Sequence, residues 1–140
     1  MRIAICDDDA NDLQAIQSAL AQYDTAGNIE ISSFTKASDL FAANKKIPFD
    51  IAILDIEMKA PNGYEIAQKL VEQESAPIII FLTNSTAYAI RGYGIAFRYL
   101  TKPIEYGALN KALDAAVCEV KANSFAFTAD GISHIVRMKD

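Results

Sequence analysis

Histidine and cysteine are scarce in this chain: one His and two Cys among 140 residues. Cys6 and Cys118 lie far apart and form no close-spaced motif, so neither a zinc site nor a disulfide framework is expected. Both read as reduced, buried thiols, one in a strand pattern and one in a helical pattern. His134 falls in a hairpin pattern and reads as a surface or packed residue rather than a ligand or base. Long apolar runs are missing, and none approaches the roughly 20 residues that span a bilayer. The N-terminus enters a strand pattern without a charged n-region, a long apolar h-region or a cleavage signal. The expectation is therefore a cytoplasmic protein with no membrane attachment. Positive charge is also short: 13 Lys and Arg against 18 Asp and Glu, a net −5. Neutralising nucleic-acid phosphates takes clustered Lys and Arg, so this chain by itself is a poor DNA or RNA binder. No Gly-rich loop follows the first strand pattern, which leaves a nucleotide-binding reading without support. Repeats, low-complexity tracts and long linkers are absent as well.

What is present is an alternation. The chain is 51% hydrophobic and 22% charged, which suits a globular domain with a real core. Short apolar runs alternate with helical periodicity, the pattern of βαβ units around a parallel sheet. The first run is Arg2–Cys6. A helix follows, with Leu13, Ile16, Leu20 and Tyr23 on one face, stopped at Gly27-Asn28. Residues 29–34 alternate, as an edge strand does. A short helix begins near Ser38 and Asp39 and carries Leu40 and Phe41. Residues 50–55 are apolar on both faces, as at the centre of a covered sheet. A turn-rich loop (KAPNG) leads to a helix over 64–73, and Pro77 opens the Ile78–Thr83 strand. A weak helix over 85–91 is broken by Gly92 and Gly94, and a fifth strand covers 95–100. The clearest helix spans 105–121, with Leu109, Leu113, Ala116 and Val120 in its stripe. Five strands and five helices in strict alternation predict an α/β fold. Its five-stranded parallel sheet would follow the flavodoxin-like, doubly wound order 2-1-3-4-5.

Four of the strand runs end in chemistry. Arg2–Cys6 leads into Asp7 and Asp8, residues 49–54 into Asp55, residues 78–82 into Thr83, and residues 96–100 through Thr101 into Lys102. In a parallel sheet those carboxyl ends share one edge, where open α/β sheets build their ligand sites. Three carboxylates suit a divalent cation such as Mg²⁺, which takes one or two protein carboxylates and keeps positions for water and phosphate. Asp9 reads instead as the cap of the first helix. A carboxylate can attack phosphorus to give an aspartyl-phosphate. Lys102 then offers a point charge, and Thr83 a hydroxyl, to phosphoryl oxygens.

These residues resemble the receiver domain of two-component response regulators, over residues 1–121. ICDDD is similar to the family's acidic pair, with Asp7 and Asp8 in place. ILDIEMKAPNG resembles the phosphoacceptor motif. The resemblance implies that Asp55 is phosphorylated by a sensor histidine kinase and that Gly63 is the loop glycine. It also implies that the Glu57 backbone carbonyl is a metal ligand, beside Asp7, Asp8 and Asp55, for Mg²⁺ or Mn²⁺. FLTN resembles the switch-threonine motif at Thr83, and RYLTKP the segment with switch aromatic Tyr99 and phosphate-binding Lys102. A cis peptide bond is implied before Pro103, where cis is least costly. Lys59 and Asn84 depart from the usual residues, without removing a catalytic group. Homodimerisation on phosphorylation is implied, through the face of the fourth helix, fifth strand and fifth helix; Tyr88, Tyr93 and Phe97 read either as apolar surface there or as ordinary core.

Residues 125–128 (FAFT), a turn at 129–131 and residues 132–136 (ISHIV) read as a β-hairpin. This divides the chain into a receiver over 1–122 and an extension over 123–140. The extension resembles the opening of a LytTR-type DNA-binding domain; a hairpin that only packs on the receiver is the competing reading. DNA would be bound only through a downstream domain that these residues begin. The expected function is a phosphorylation switch with a transcriptional output, not an enzyme. A stand-alone receiver acting by protein contact is one alternative. An aspartyl-nucleophile phosphohydrolase is another, but such enzymes carry a second Asp two residues on, where this chain has Glu57.

Overall fold

The computed structural model describes residues 1–84 and 94–129, with side chains in the last helix as far as 123. Five strands form one sheet: β1 (Arg2–Cys6), β2 (Glu30–Phe34), β3 (Ile51–Asp55), β4 (Ile78–Thr83) and β5 (Ala96–Thr101). Their order is β2-β1-β3-β4-β5 and every pairing is parallel. This is the expected doubly wound order. The helices described are α1 (Ala10–Tyr23), α2 (Ala37–Lys46), α3 (Gly63–Val71) and α4 (Tyr106–Ala129).

Side chains of a strand alternate between sheet faces, and the sequence fills both faces with apolar groups. Ile3, Ile5, Ile53, Ile80 and Leu82 face one way, against Leu13, Ile16 and Leu20 of α1 and Leu109, Leu113 and Ala116 of α4. Ala4, Cys6, Ala52, Leu54, Ile79 and Phe81 face the other, against Leu40 of α2 and Ile66 and Leu70 of α3. Each fully buried Ile or Leu contributes about 1.5–3 kcal/mol. All five residues of β3 are buried, while β2 has none, which agrees with an edge position for β2.

Local signals set the helix starts. The Asp9 carboxylate accepts from the backbone N–H of Asn11 and Asp12, and so caps α1. Asn62 and Glu65 form a reciprocal capping box at α3. Gly27 adopts φ +73 after α1, a conformation that favours glycine.

Two expectations are corrected. Residues 125–128 are not a strand, because α4 continues as helix through Ala129. Once the packed stripe of α4 has nucleated the helix, each added residue costs little. Ala122, Ala126 and Ala129 favour continuation, and two phenylalanines two apart are a weak strand signal. Cys118 is exposed rather than buried; it falls outside the α4 stripe of Leu109, Ala112, Leu113, Ala116 and Val120. Residues 132–136 with His134, the helix over 85–91 with Tyr88, and Gly92 and Tyr93 lie outside the described residues. No helix of the described residues is long and apolar enough to cross a membrane.

Candidate functional site

Register brings the strand-end groups to one level. Cys6 pairs with Leu54, Asp55 with Leu82, and Thr83 with Thr101. The residues that follow each pair therefore emerge together at the carboxyl edge. One carboxylate oxygen from each of Asp7, Asp8 and Asp55 lies within 4.8 Å of the others. Asp7 is fully buried, Asp55 nearly so, and Asp8 exposed. Two buried oxygen donors beside an exposed one suit a hard divalent cation that keeps some water ligands.

Lys102 closes the other side. Its Nζ lies 3.1 Å from Asp7 Oδ2, 2.8 Å from Asp12 Oδ2 and 3.3 Å from Asp55 Oδ2. Its backbone N–H donates to the Thr83 carbonyl at 2.9 Å, which ties β5 to β4 at the site. The Lys102–Pro103 peptide is cis, and so is Ala60–Pro61, which the sequence reading did not anticipate. Asp12 was missed as well. The usable signal was its spacing, one helical turn beyond Asp8 on a helix that starts at the site.

Gly63 sits where α3 begins, against the end of β3. A Cβ there would lie 2.3 Å from the Asp55 carbonyl oxygen. The Gly63 N–H donates to the Ile56 carbonyl at 3.2 Å, which seals the contact. Tyr99 is half-buried, with its ring 5.5 Å from that of Phe81. Phe97 packs against the α1 and α4 core. Asn84 is exposed at the end of β4. The Lys59 N–H donates to Asp8 Oδ2 at 3.3 Å, so this departure still serves the site through its backbone.

The Glu57 side chain was not expected to take part. Its Oε1 accepts from the Thr83 hydroxyl at 2.9 Å and from the Asn84 backbone N–H. The Glu57 N–H in turn donates to Asp55 Oδ1 at 3.1 Å.

Burial raises Asp7 to about 6; the Asp9 N–H and the Lys102 ammonium oppose this, while the Asp55 charge adds to it. Burial alone would lower Lys102, but its hydrogen bonds to Asp12 and Asp7 and the charges of Asp55 and Asp7 outweigh it and hold the ammonium above its ordinary value. Burial, with the neighbouring carboxylates, pushes the Cys6 thiol up to about 12, so it is inert beside the site.

The raised Asp7 predicts a pH dependence in the metal-free chain. The folded state binds a proton that the unfolded state has lost, so this contribution is complete below about 4 and is lost as pH rises through about 6. Relative to Asp7→Asn, wild type should lose about 2 kcal/mol of stability between about pH 4 and about pH 7.5. Urea unfolding of both proteins in chelator reads this, and a pH-independent difference between them would contradict it.

Comparison with known proteins agrees with this geometry. A family model described as the response regulator receiver domain matches residues 3–114. Transcriptional regulatory protein BtsR of Salmonella typhi is 35% identical over 115 residues, covering 81% of this chain and 46% of the relative. Sensory transduction protein LytR of Streptococcus mutans is 28% identical, over 81% and 47%. The positive alginate biosynthesis regulatory protein of Pseudomonas aeruginosa is 30% identical, over 83% and 47%. The chain thus spans about half the length of the curated relatives it matches. Among solved structures, the response regulatory domain of protein mrkE from Klebsiella pneumoniae superposes with a TM-score of 0.75 at 23% identity, over 87% of this chain and 99% of that one. A response regulator receiver domain protein from Clostridium thermocellum gives 0.75 at 21% identity, over 86% and 97%. At these identities the structural likeness speaks for the fold.

Proposed function

This chain belongs to the response regulator receiver domain family, and on that premise we propose that Asp55 is its phosphoacceptor, charged by a sensor histidine kinase in a reaction that needs Mg²⁺ or Mn²⁺. An Asp55 oxygen attacks the phosphorus in line, the phosphorus–nitrogen bond of the donor phosphohistidine breaks, and the imidazole leaves with the electron pair. Such a transfer depends on positioning and charge neutralisation. Asp7, Asp8, Asp55 and the Glu57 carbonyl would hold a Mg²⁺ or Mn²⁺ ion, which would supply part of that neutralisation. Lys102 supplies the rest as a point charge, and Asp7 and Asp12 keep its ammonium protonated and aimed at the site. The Thr83 hydroxyl donates to a phosphoryl oxygen once the group is in place. The observation that carries this reading is the convergence of Asp7, Asp8 and Asp55 within 4.8 Å, beside an ammonium 3.3 Å from Asp55.

Movement of Thr83 toward the phosphoryl group changes the packing open to Tyr99, and this biases the surface around β5 and α4. A few kcal/mol of difference between the two forms is enough to move the population decisively. Homodimerisation through residues 85–91, β5 and α4 follows in this account. Relatives about twice as long, one of them named a transcriptional regulator, support a downstream output domain that binds DNA. The domain then acts as a cytoplasmic switch rather than as an enzyme with a turned-over substrate.

The test is intact-mass spectrometry after incubation with acetyl phosphate. Wild type should gain one phosphoryl group with Mg²⁺ and none in chelator. No gain with Mg²⁺ would sink the reading. Sustained hydrolysis of a generic phosphomonoester would favour the phosphohydrolase instead.

A further inference from the structure

Two hydrogen-bond donors at the end of β4 converge on one anionic oxygen. The Thr83 hydroxyl and the Asn84 backbone N–H both donate to Glu57 Oε1. Glu57 itself is two residues past Asp55, and its backbone N–H rests on Asp55 Oδ1 at 3.1 Å. A carboxylate therefore occupies an anion-binding position next to the group that is to carry a phosphoryl. That position is electrostatically unfavourable, since Asp55 is adjacent and is itself grouped with Asp7 and Asp8. What holds Glu57 there is the pair of charge-assisted hydrogen bonds.

We propose that Glu57 is a resting-state latch: its carboxylate fills the donors of Thr83 and Asn84 until a phosphoryl group on Asp55 takes its place. The inference rests on the phosphoacceptor reading of Asp55. A phosphoryl group brings close to two negative charges and three acceptor oxygens to the same edge. It competes for the same hydroxyl and N–H, and Coulomb repulsion within the site disfavours keeping both anions. Glu57 is the one that leaves, because it is exposed and lies on the turn after β3. Asp55 is nearly buried and fixed at the end of β3. Thr83 is thus not idle before phosphorylation. Its hydroxyl is pinned by Glu57, and the switch exchanges one anion for another. Glu57 is a positioning residue in this scheme: it acts on the switch through Thr83 and lowers the affinity of the site for the incoming group.

The test uses the full chain and beryllofluoride as phosphoryl probe, at saturating Mg²⁺. Glu57→Ala and Glu57→Gln should bind the probe about tenfold more tightly than wild type, the scale set by one released charge-assisted hydrogen bond. Removal of a nearby negative charge would also tighten binding, so two further readouts separate the latch from simple charge. Glu57→Asp keeps the charge but is one methylene too short to reach both donors, and it too should gain affinity. The gain from Glu57→Ala should shrink in a Thr83→Ala background, because half of the latch is already absent. In chelator, the Asn84 amide proton should move upfield in Glu57→Ala, which reports the lost carboxylate bond without any metal or probe. Unchanged affinity in both Glu57→Ala and Glu57→Gln would overturn the latch. An undiminished gain in the Thr83→Ala background, or an unmoved Asn84 amide, would do the same. Wild type that binds no beryllofluoride sinks the phosphoacceptor reading and the latch with it. Wild type that binds while the variants do not improve sinks the latch alone.

Discussion

The Asp55→Asn variant is expected to take no phosphoryl group from acetyl phosphate and Mg²⁺ under conditions that label wild type fully. The amide oxygen is a poor nucleophile, so the rate should fall by at least about 1000-fold. Failure to label through misfolding is excluded by a second expectation on the same variant. In chelator, Asp7, Asp8 and Asp55 repel one another, and the Asp55 charge helps to raise Asp7. An uncharged isostere removes that repulsion but gives up the 3.3 Å contact with Lys102. With three carboxylates around one ammonium and Asp8 beside two of them, the repulsive side is larger. Asp55→Asn should be more stable than wild type without metal, by about 1 kcal/mol or a few degrees in melting temperature. A variant that is both unlabelled and stabilised separates a chemical loss from a structural one. Equal or lower melting temperature at neutral pH would count against the electrostatic account.

Gly63→Ala should damage both fold and site. The atoms that a Cβ would meet are all backbone: the Asp55 carbonyl oxygen at 2.3 Å, its carbon at 2.7 Å and the Ile56 Cα at 2.9 Å. None can rotate away. Either α3 backs off β3, which breaks the Gly63–Ile56 hydrogen bond, or the end of β3 moves and takes Asp55 with it. The cost is about 3 kcal/mol, as for overpacking of a tight contact, and about 10 °C in melting temperature. A displaced Asp55 should also slow labelling by about 100-fold, since in-line attack tolerates little misplacement. Thermal unfolding and the labelling time course read the two effects. A variant as stable and as reactive as wild type would show that the close approach of α3 to β3 is not needed.

How far the sequence foretold this site depends on whether backbone or side chain decides. Asp7, Asp55, Thr83 and Lys102 were legible because each follows an apolar run, and a parallel sheet aligns the ends of such runs. Strand order followed from the same alternation, and the Asp9 cap from its place before the periodic residues of α1. Glu57 was not legible as a member of the site, because its long side chain reaches a partner that no spacing rule specifies, and Asp12 is legible only through its spacing from Asp8. Lys102 meets Asp12 across the start of α1, and Glu57 meets Thr83 across two loops. At residues 125–128 the error was one of competing signals. A four-residue alternation suggested a strand, while the helix already running through Leu113 and Val120 simply continued. Cys118 lies on a helix but off its apolar stripe, so a helical pattern alone does not imply burial there.

The most direct test of the central claim is to locate the acyl phosphate by chemistry. Borohydride reduces an aspartyl-phosphate to homoserine, so the chain labelled with acetyl phosphate and Mg²⁺ can be reduced, digested and mapped by mass spectrometry. The account predicts homoserine at position 55 alone, absent in chelator. Reduction at Asp7, Asp8 or Glu57 instead, or a phosphate stable to borohydride on a Ser or Thr, would contradict it.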